Sequence, residues 1–453
     1  MNSNFAPLSL LTSNPRYFLF RGNPEILITS SEHYGALLNL DFDYIKYFTE
    51  LKNCGLNATR LFSGYYHEIQ GAFNIDKNTL APDKDAYLAP WARTCVPGAR
   101  DGGNKFDLDH FNPRYTERLH SLCKAASDMD IVIEFCLFCP FYSHTLNGGL
   151  WEAAPVYHEN NINNTEPTGI LDCYSLNNQK IIHYQEALVK MLVGTLNEYD
   201  NIYYEICNEP YFDGITYEWQ CRIAKLITDT ERPLKNKHLI GINVSNGFEA
   251  IQNPDENFSV FNFHYTNGSC MTANYKLNKA IGCNETGFAG MDETFYRRQA
   301  WDIIMSGGAT YFGLDFSFAP GYEDGGYVGD EQPGTGNRVF RMQLGAMKKF
   351  LAGAGVFQMR PDNSFIAKCF FGNGQYYGVA EPGSKYAVYA YGAQWFELDV
   401  PGGQYEIEWL NPINLKTVKY NINHTERRLK LDPPDELWDG GRNTGEIAVR
   451  LRN

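Results

Sequence analysis

Long apolar runs and an excess of basic residues are both missing from this sequence of 453 residues. No segment approaches the roughly 20 consecutive apolar residues of a membrane-spanning helix. Lysine and arginine together number 39, against 53 aspartates and glutamates, which gives a net charge of −14. Because a protein that binds nucleic acid needs a basic face, this balance argues against a polyanionic partner. We therefore expect neither a membrane nor a nucleic acid as a partner, and the oligomeric state stays open.

Cysteine is present, but without the spacing of a metal site or a disulfide framework. The 11 cysteines are odd in number and scattered, and Cys136, Cys207 and Cys283 lie inside apolar, strand-like segments. Cys136 and Cys139 lack the second half of a zinc ligand set. The first residues also lack the basic flank and apolar core of a secretory leader. We expect no metal, no cofactor and a reducing, cytoplasmic location, with a secreted or periplasmic one as the alternative if a leader has been removed.

Short apolar runs alternate with amphipathic segments over the first three quarters of the chain. The apolar runs predict eight strands, at residues 25–29, 57–62, 131–136, 202–207, 239–242, 258–263, 280–284 and 309–314. Helices are predicted at residues 42–52, 114–127, 179–196, 217–228, 293–305 and 339–351, and they are short or poorly marked after the fifth and sixth strands. This alternation is typical of an α/β fold, the (β/α)8 TIM barrel. We assign it to residues 1–355, with a short β-hairpin at residues 5–22 closing the barrel floor.

The pattern changes after Gly355 to the strict alternation of antiparallel strands. Such strands are predicted at residues 386–391, 395–400, 405–409, 416–420 and 446–451. Residues 356–453 are therefore predicted to form a C-terminal β-sandwich. Its role is either to bury apolar barrel surface or to bind carbohydrate, which the supply of aromatic residues (15% of the chain) would suit.

Two glutamates stand at the ends of two predicted strands. The segment Asn-Ile-Tyr-Tyr-Glu-Ile-Cys-Asn-Glu-Pro, residues 201–210, carries Glu209 to the end of the fourth strand, and Pro210 stops that strand. The segment Ala-Ile-Gly-Cys-Asn-Glu-Thr-Gly, residues 280–287, does the same for Glu285 on the seventh strand. A retaining glycosidase needs two such carboxyl groups about 5–5.5 Å apart, one to protonate the leaving oxygen and one to attack the sugar.

The pair resembles the acid/base and the nucleophile of clan A glycoside hydrolases, the (β/α)8 group that includes family 5. The resemblance implies that Glu209 is the acid/base and Glu285 the nucleophile, with ionised Glu285 keeping Glu209 protonated. It also implies that Asn208 donates to the sugar 2-hydroxyl and that Arg60, in Ala-Thr-Arg-Leu-Phe, keeps the nucleophile ionised. Glu205, one layer deeper in the barrel, is expected to be a buried structural partner, for instance of Arg60.

The sixth strand departs from the family pattern. Family 5 places a histidine at its end, here His264, and a tyrosine two positions later that hydrogen-bonds the nucleophile. In this chain position 266 is threonine and the tyrosine is Tyr265. Tyr265 can reach the nucleophile only if a β-bulge restores its direction.

Three long loops, residues 63–113, 140–178 and 315–336, follow the second, third and eighth strands and should shape the substrate site. From these loops and the one after the first strand, we expect substrate contacts from Glu32, His33, His144, Trp151, Asp315 and Phe316. Glu32 and His33 are expected to hold hydroxyls of the terminal sugar. Phe316 or Phe318 stands where many clan members have a tryptophan platform.

The sequence thus predicts a retaining β-glycoside hydrolase that acts by double displacement on oligo- or polysaccharide. The long loops favour a pocket and exo action. The alternatives are an endo-glucanase or mannanase with an open cleft, a non-catalytic carbohydrate-binding barrel, and a transglycosidase that shares the same catalytic residues.

Overall fold

The central element is a parallel sheet of eight strands in sequential order. The structure is a computed structural model that describes residues 5–145, 148–329, 332–439 and 445–453, so parts of the two predicted loops at 146–147 and 330–331 lie outside the described residues. The strands are β1 (Leu27–Ser31), β2 (Ala58–Phe62), β3 (Val132–Phe138), β4 (Ile202–Cys207), β5 (Ile240–Asn246), β6 (Val260–His264), β7 (Ala280–Glu285) and β8 (Thr310–Leu314).

Contacts between β8 and β1 and between β1 and β2 close the sheet into a barrel. Strand β8 pairs with β1 in parallel over their full lengths. Between β1 and β2 the side chain of Asn57 links the two strands by hydrogen bonds. Its Oδ1 accepts from the Ile28 N–H at 3.0 Å, and its Nδ2 donates to the Ile26 carbonyl at 3.0 Å.

Eight helices accompany the strands within the described residues. They are α1 (Tyr44–Asn53), α2 (Pro113–Asp128), α3 (Gly149–Ala153), α4 (Gln179–Leu196), α5 (Tyr217–Glu231), α6 (Gly268–Asn274), α7 (Glu293–Met305) and α8 (Arg338–Ala354). Side-chain caps explain several starts: Asp43, Asn112 and Thr216 each accept hydrogen bonds from the first turn of their helix. Residues 247–259, which connect β5 to β6, hold bends and turns in place of a helix. Short 3₁₀ turns lie at Ala72–Asn74, Ile170–Asp172, Tyr275–Leu277, Val356–Gln358 and Asp435–Leu437.

Two antiparallel additions flank the barrel. The N-terminal segment forms a three-stranded sheet, Ser9–Leu10, Phe18–Phe20 and Asn23–Glu25, one strand more than the predicted hairpin. Arg21 ties it to the barrel floor by ion pairs with Asp200 and Asp130, which precede β4 and β3. The loop after β2, predicted as irregular, contains a hairpin of Trp91–Pro97 and Asn104–Phe111.

All strands after α8 are antiparallel. They are β9 (Arg360–Pro361), β10 (Ile366–Glu381), β11 (Lys385–Leu398), β12 (Gly403–Leu410), β13 (Thr417–His424), β14 (Leu429–Leu431) and β15 (Glu446–Arg452). Their order is β9-β10-β11-β15-β12-β13, and β14 pairs with the end of β11. The predicted strands 386–391 and 395–400 are one long strand, β11, and the even longer β10 was not predicted. The predicted fold class, a (β/α)8 barrel with a C-terminal antiparallel β-sandwich, is confirmed.

The barrel and the C-terminal strands share a buried seam along α7. Glu446 accepts hydrogen bonds from Nε and Nη2 of Arg297 at 2.8 and 2.9 Å. Trp301 stacks face to face on Tyr389 with ring centroids 4.6 Å apart. Helix α8 ends at Gly355, whose φ of 84° is a conformation that glycine adopts readily. The division at residues 355 and 356 stays a prediction.

Candidate active site

The two glutamates singled out in the sequence face one another across the mouth of the barrel. Glu285 is the last residue of β7, and Glu209 follows the end of β4 by two residues. A carboxylate oxygen of Glu209, one of Glu285 and a ring nitrogen of His264 all lie within 4.8 Å of one another. Both glutamates are 6% exposed, so only a small part of each residue is accessible to solvent.

Three hydrogen-bond donors surround the Glu285 carboxylate. Arg60 Nη1 lies 3.2 Å from Oε2, the Tyr34 hydroxyl donates to the same oxygen at 3.0 Å, and the Tyr265 hydroxyl donates to Oε1 at 2.6 Å. These three donors fix the orientation of the Glu285 carboxylate, which faces Glu209.

Glu209 has a different set of partners. The Tyr142 hydroxyl donates to Oε2 at 2.7 Å, and Nδ1 of His264 lies 3.2 Å from Oε1. Burial raises the pKa of Glu209, but the hydrogen bond and charge of His264, followed by the Tyr142 hydroxyl, outweigh burial and lower that pKa below its usual value. His264 Nδ1 also lies 3.5 Å from Glu285 Oε1, so it contacts both carboxylates. The expectation that ionised Glu285 keeps Glu209 protonated stays a prediction.

A bulge brings Tyr265 to the nucleophile. The register between β6 and β7 shifts after Phe263, and Tyr265 has a φ of 49°. This is the condition under which the sequence allowed Tyr265 to contact Glu285. Tyr34, Tyr142 and Glu209 also have positive φ values, of 60°, 48° and 37°. Residues other than glycine seldom adopt this conformation, and it is concentrated at functional sites.

A buried layer of charge lies beneath the two carboxylates. Arg60 donates from Nε to Glu134 Oε1 at 2.7 Å and forms an ion pair with Glu205, which is the role expected for Glu205. Asn284 Nδ2 bridges Glu134 and Glu205 at 2.6 and 2.7 Å. Burial, and then the charge of Glu205, raise the pKa of Glu134 to about 8. For Glu205, burial again raises the pKa, but the charges of Arg60 and His264 and the hydrogen bonds from Arg60 and Asn262 together outweigh burial, and the pKa falls.

A cavity opens above the carboxylates and encloses about 370 Å³, counting the part open to solvent. Besides the two glutamates it is lined by His33, Tyr34, Phe62, Glu68, Phe73, Leu80, Cys139, Tyr142, Asn208, Tyr265 and Phe288. His33 Nε2 lies 3.2 Å from Glu68 Oε1, and Asn208 Nδ2 donates to the Tyr142 hydroxyl at 2.8 Å. The loops after β2 and β3 thus contribute walls of the cavity, as expected from their positions.

Two of the carboxylates expected to bind sugar have other partners. Glu32 is fully buried, and its oxygens accept from the N–H groups of Gly35 and Ala36 and from Thr79. Asp315, 2% exposed, accepts from Ser30 and forms an ion pair with Arg341 at 2.9 Å. Both carboxylates stabilise loops, so neither expectation of a sugar contact holds.

The aromatic residues that line the cavity also differ from those expected. Trp151 is buried against Phe141 with centroids 5.0 Å apart, behind the cavity. Phe316 is buried too, and its neighbour Phe288, 5.7 Å away, is the ring that reaches the cavity. His144 is exposed on the rim, next to Tyr142. The expectations for Trp151 and Phe316 are therefore corrected, because both rings are buried and neither lines the cavity.

The same three side chains, Glu209, His264 and Glu285, form the one cluster in the described part of the chain with donor atoms close enough to hold a metal ion. Both carboxylates already accept hydrogen bonds from the chain, Glu285 from Arg60 and Tyr265 and Glu209 from Tyr142. Across the described ranges no helix is both long and apolar enough to cross a membrane.

Comparisons with known proteins give structural matches only. No family model matches the chain, and no curated protein matches it. A solved structure of a glycoside hydrolase aligns with a TM-score of 0.63 at 14% identity, covering 99% of this chain and 97% of that one. A family 5 glycoside hydrolase from Bacteroides vulgatus aligns with a TM-score of 0.62 at 12% identity, covering 100% and 95%.

The chain has the fold of these glycoside hydrolases. A family 5 mannosidase from Rhizomucor miehei, solved as a point mutant, aligns with a TM-score of 0.51 at 12% identity, over 77% of this chain and 99% of that one. The matches to the first two structures extend over nearly the whole chain, and so include the C-terminal sandwich as well as the barrel.

Proposed function

We propose that the protein is a retaining β-glycoside hydrolase that cleaves oligo- or polysaccharide by double displacement. The observation that carries the proposal is the approach of the Glu209 and Glu285 carboxylates, whose nearest oxygens lie within 4.8 Å. Retaining enzymes hold the two groups about 5–5.5 Å apart, and inverting enzymes about 6.5–9.5 Å apart to admit a water molecule. The short distance between the two carboxylates supports a retaining mechanism.

Each carboxylate has partners suited to one role. Glu285, held by Arg60, Tyr34 and Tyr265, attacks the anomeric carbon while protonated Glu209 donates its proton to the leaving oxygen. The bond to the leaving group breaks as the ester bond to Glu285 forms. Glu209, now ionised, then takes a proton from water, and the hydroxide displaces Glu285 to give the product with its original configuration.

The cavity supports action at a chain end. The loop after β2 places Phe73 and Leu80 over one side of it, and Tyr142 from the loop after β3 stands on another. A site walled on several sides accepts one end of a glycan more readily than its middle. We therefore propose exo action, with endo cleavage as the alternative.

Aryl β-glycosides test the chemistry. Glu285→Ala should lose activity by several powers of ten, because no other group can form the covalent intermediate. Azide should rescue this variant and yield the glycosyl azide of inverted configuration, while the parent should release product of retained configuration, as read by NMR early in the reaction.

Glu68→Gln is the matched control, since it removes a carboxylate from the same cavity but neither catalytic group. It should keep the retained configuration and most of the turnover. An inverted first product from the parent, or an azide adduct of retained configuration from Glu285→Ala, would refute the mechanism. The proposed mode of attack fails if a soluble polysaccharide loses viscosity rapidly while few reducing ends are released.

A further inference from the structure

A second concavity adjoins the catalytic cavity at Tyr265 and reaches the C-terminal sandwich. It encloses about 960 Å³, counting the part open to solvent. We call it the Tyr391 groove. Its walls come from three places: Tyr265 and Thr266 after β6, Phe295 and other residues of α7, and Tyr391 on β11. Because Tyr265 lines both spaces, the groove borders the catalytic cavity on this side.

Aromatic rings line the groove, and two of them expose a large part of their surface. Phe295 is 48% exposed and Tyr265 is 36% exposed. Tyr391 is held in place, because the Arg298 guanidinium lies 4.3 Å over its ring and Glu446 accepts from Arg298 Nε at 3.0 Å. Fixed, accessible rings with a polar edge provide flat apolar surface at little cost in side-chain entropy.

Polar groups accompany the rings. Thr266 and the exposed Asn267 border the groove. Asp292, Arg298 and Asp302 add charged groups of both signs within the same walls. Rings for an apolar face and hydrogen-bonding groups around them match a hexose, which has C–H faces and an equatorial belt of hydroxyls.

We propose that the Tyr391 groove is a carbohydrate subsite that binds a neutral hexose unit of a β-linked chain whose end occupies the catalytic cavity. The inference rests on the proposed function and extends it to the C-terminal sandwich, which supplies Tyr391 and thereby takes part in substrate binding. The sandwich would then have both roles considered from the sequence. It would bind carbohydrate through Tyr391, and its contacts with α7 also bury barrel surface.

Binding of tetrasaccharides to an inactive protein tests the groove apart from catalysis. In a Glu285→Gln background, calorimetry with mannotetraose and cellotetraose should show binding of at least one. Tyr391→Ala and Phe295→Ala should each weaken it about tenfold, the order expected from losing one ring contact. Tyr391→Phe, which keeps the ring, should bind like the parent. Phe5→Ala is the matched control, because Phe5 is similarly exposed (51%) and contacts Arg21 near the barrel floor.

Kinetics with Glu285 present supply the second readout. Tyr391→Ala and Phe295→Ala should lower kcat/KM for the tetrasaccharide by the same factor and leave kcat/KM for an aryl monoglycoside within twofold of the parent. Melting temperatures show that each variant is folded.

The outcomes separate the two proposals. The subsite is refuted if neither tetrasaccharide binds, if the alanine variants bind like the parent, or if Phe5→Ala weakens binding equally. Retained product from the parent would leave the proposed function intact in each of these cases. Tyr391-dependent binding without any turnover by the parent would instead support the subsite and refute the hydrolase.

Discussion

Replacing His264 by glutamine should move the pH dependence of catalysis in a defined direction. His264 Nδ1 lies 3.2 Å from Glu209, and its hydrogen bond and charge lower the pKa of that carboxyl against the effect of burial. Glu209 acts first as an acid, so the free enzyme is active below the pKa of Glu209 and loses activity above it. Without His264, burial dominates, the pKa of Glu209 rises, and the alkaline limb of kcat/KM moves to higher pH.

The interaction that is lost is a strong one. A hydrogen bond to a charged group contributes about 1.5–3 kcal/mol. Both side chains are buried, with His264 fully inaccessible, so solvent screens the interaction little. We therefore expect a displacement of the alkaline limb to higher pH that a pH profile resolves.

The assay is kcat/KM for an activated aryl glycoside from acid to neutral pH, at constant ionic strength. His33→Gln is the control, because His33 borders the same cavity but pairs with Glu68 and not with Glu209. Its variant should bind substrate more weakly without moving the limb. A limb that stays in place or moves to lower pH in His264→Gln would refute the assigned coupling between His264 and Glu209.

Three further substitutions separate stability from chemistry. Glu205→Gln removes one partner of the buried Arg60 ion pair and should lower the melting temperature with near-normal turnover in the folded fraction; an equally stable but inactive variant would contradict this. Glu32→Ala leaves three donors unpaired and should destabilise the fold by about 3 kcal/mol. The value of kcat/KM per folded molecule should not change. Weaker substrate binding at an unaltered melting temperature would instead show that Glu32 contacts the sugar. Tyr265→Phe deletes the 2.6 Å hydrogen bond to Glu285 and should reduce kcat/KM by about 10- to 100-fold at an unchanged melting temperature, whereas full activity would remove Tyr265 from the site.

The barrel could be predicted because its signal is repeated along the chain. Each buried strand is a short apolar run, and the predicted strand at residues 57–62 differs from β2, Ala58–Phe62, by one residue. The long strand β10 gave no such signal, since Gly374 and Gly378 interrupt its alternation. The hairpin at Trp91–Pro97 and Asn104–Phe111 was also missed, because it lies mostly exposed in a loop and needs no apolar stripe.

The site was predictable where the motif is local and not where the fold assembles it. Glu209, Glu285 and Arg60 lie at or near strand ends, where the position along the strand fixes the direction of the side chain. Glu134 shares the face of Arg60 but was missed, since nothing in its own segment distinguishes it from a core residue. Tyr142 was missed for another reason, because it reaches Glu209 from a loop whose path depends on contacts distant in sequence.

Four residues of the site share an unusual backbone conformation. Tyr34, Tyr142, Glu209 and Tyr265 all have positive φ, and the three tyrosines donate to the carboxylate of Glu209 or Glu285. Each such conformation costs on the order of 1–3 kcal/mol for a residue other than glycine. Glycine would remove that cost, but it would also remove the hydroxyl or carboxyl group. Glu209 and Tyr265 were still predicted, because each matches a family motif. Tyr34 and Tyr142 were missed, because no motif marks them and local propensity argues against the conformation that each adopts.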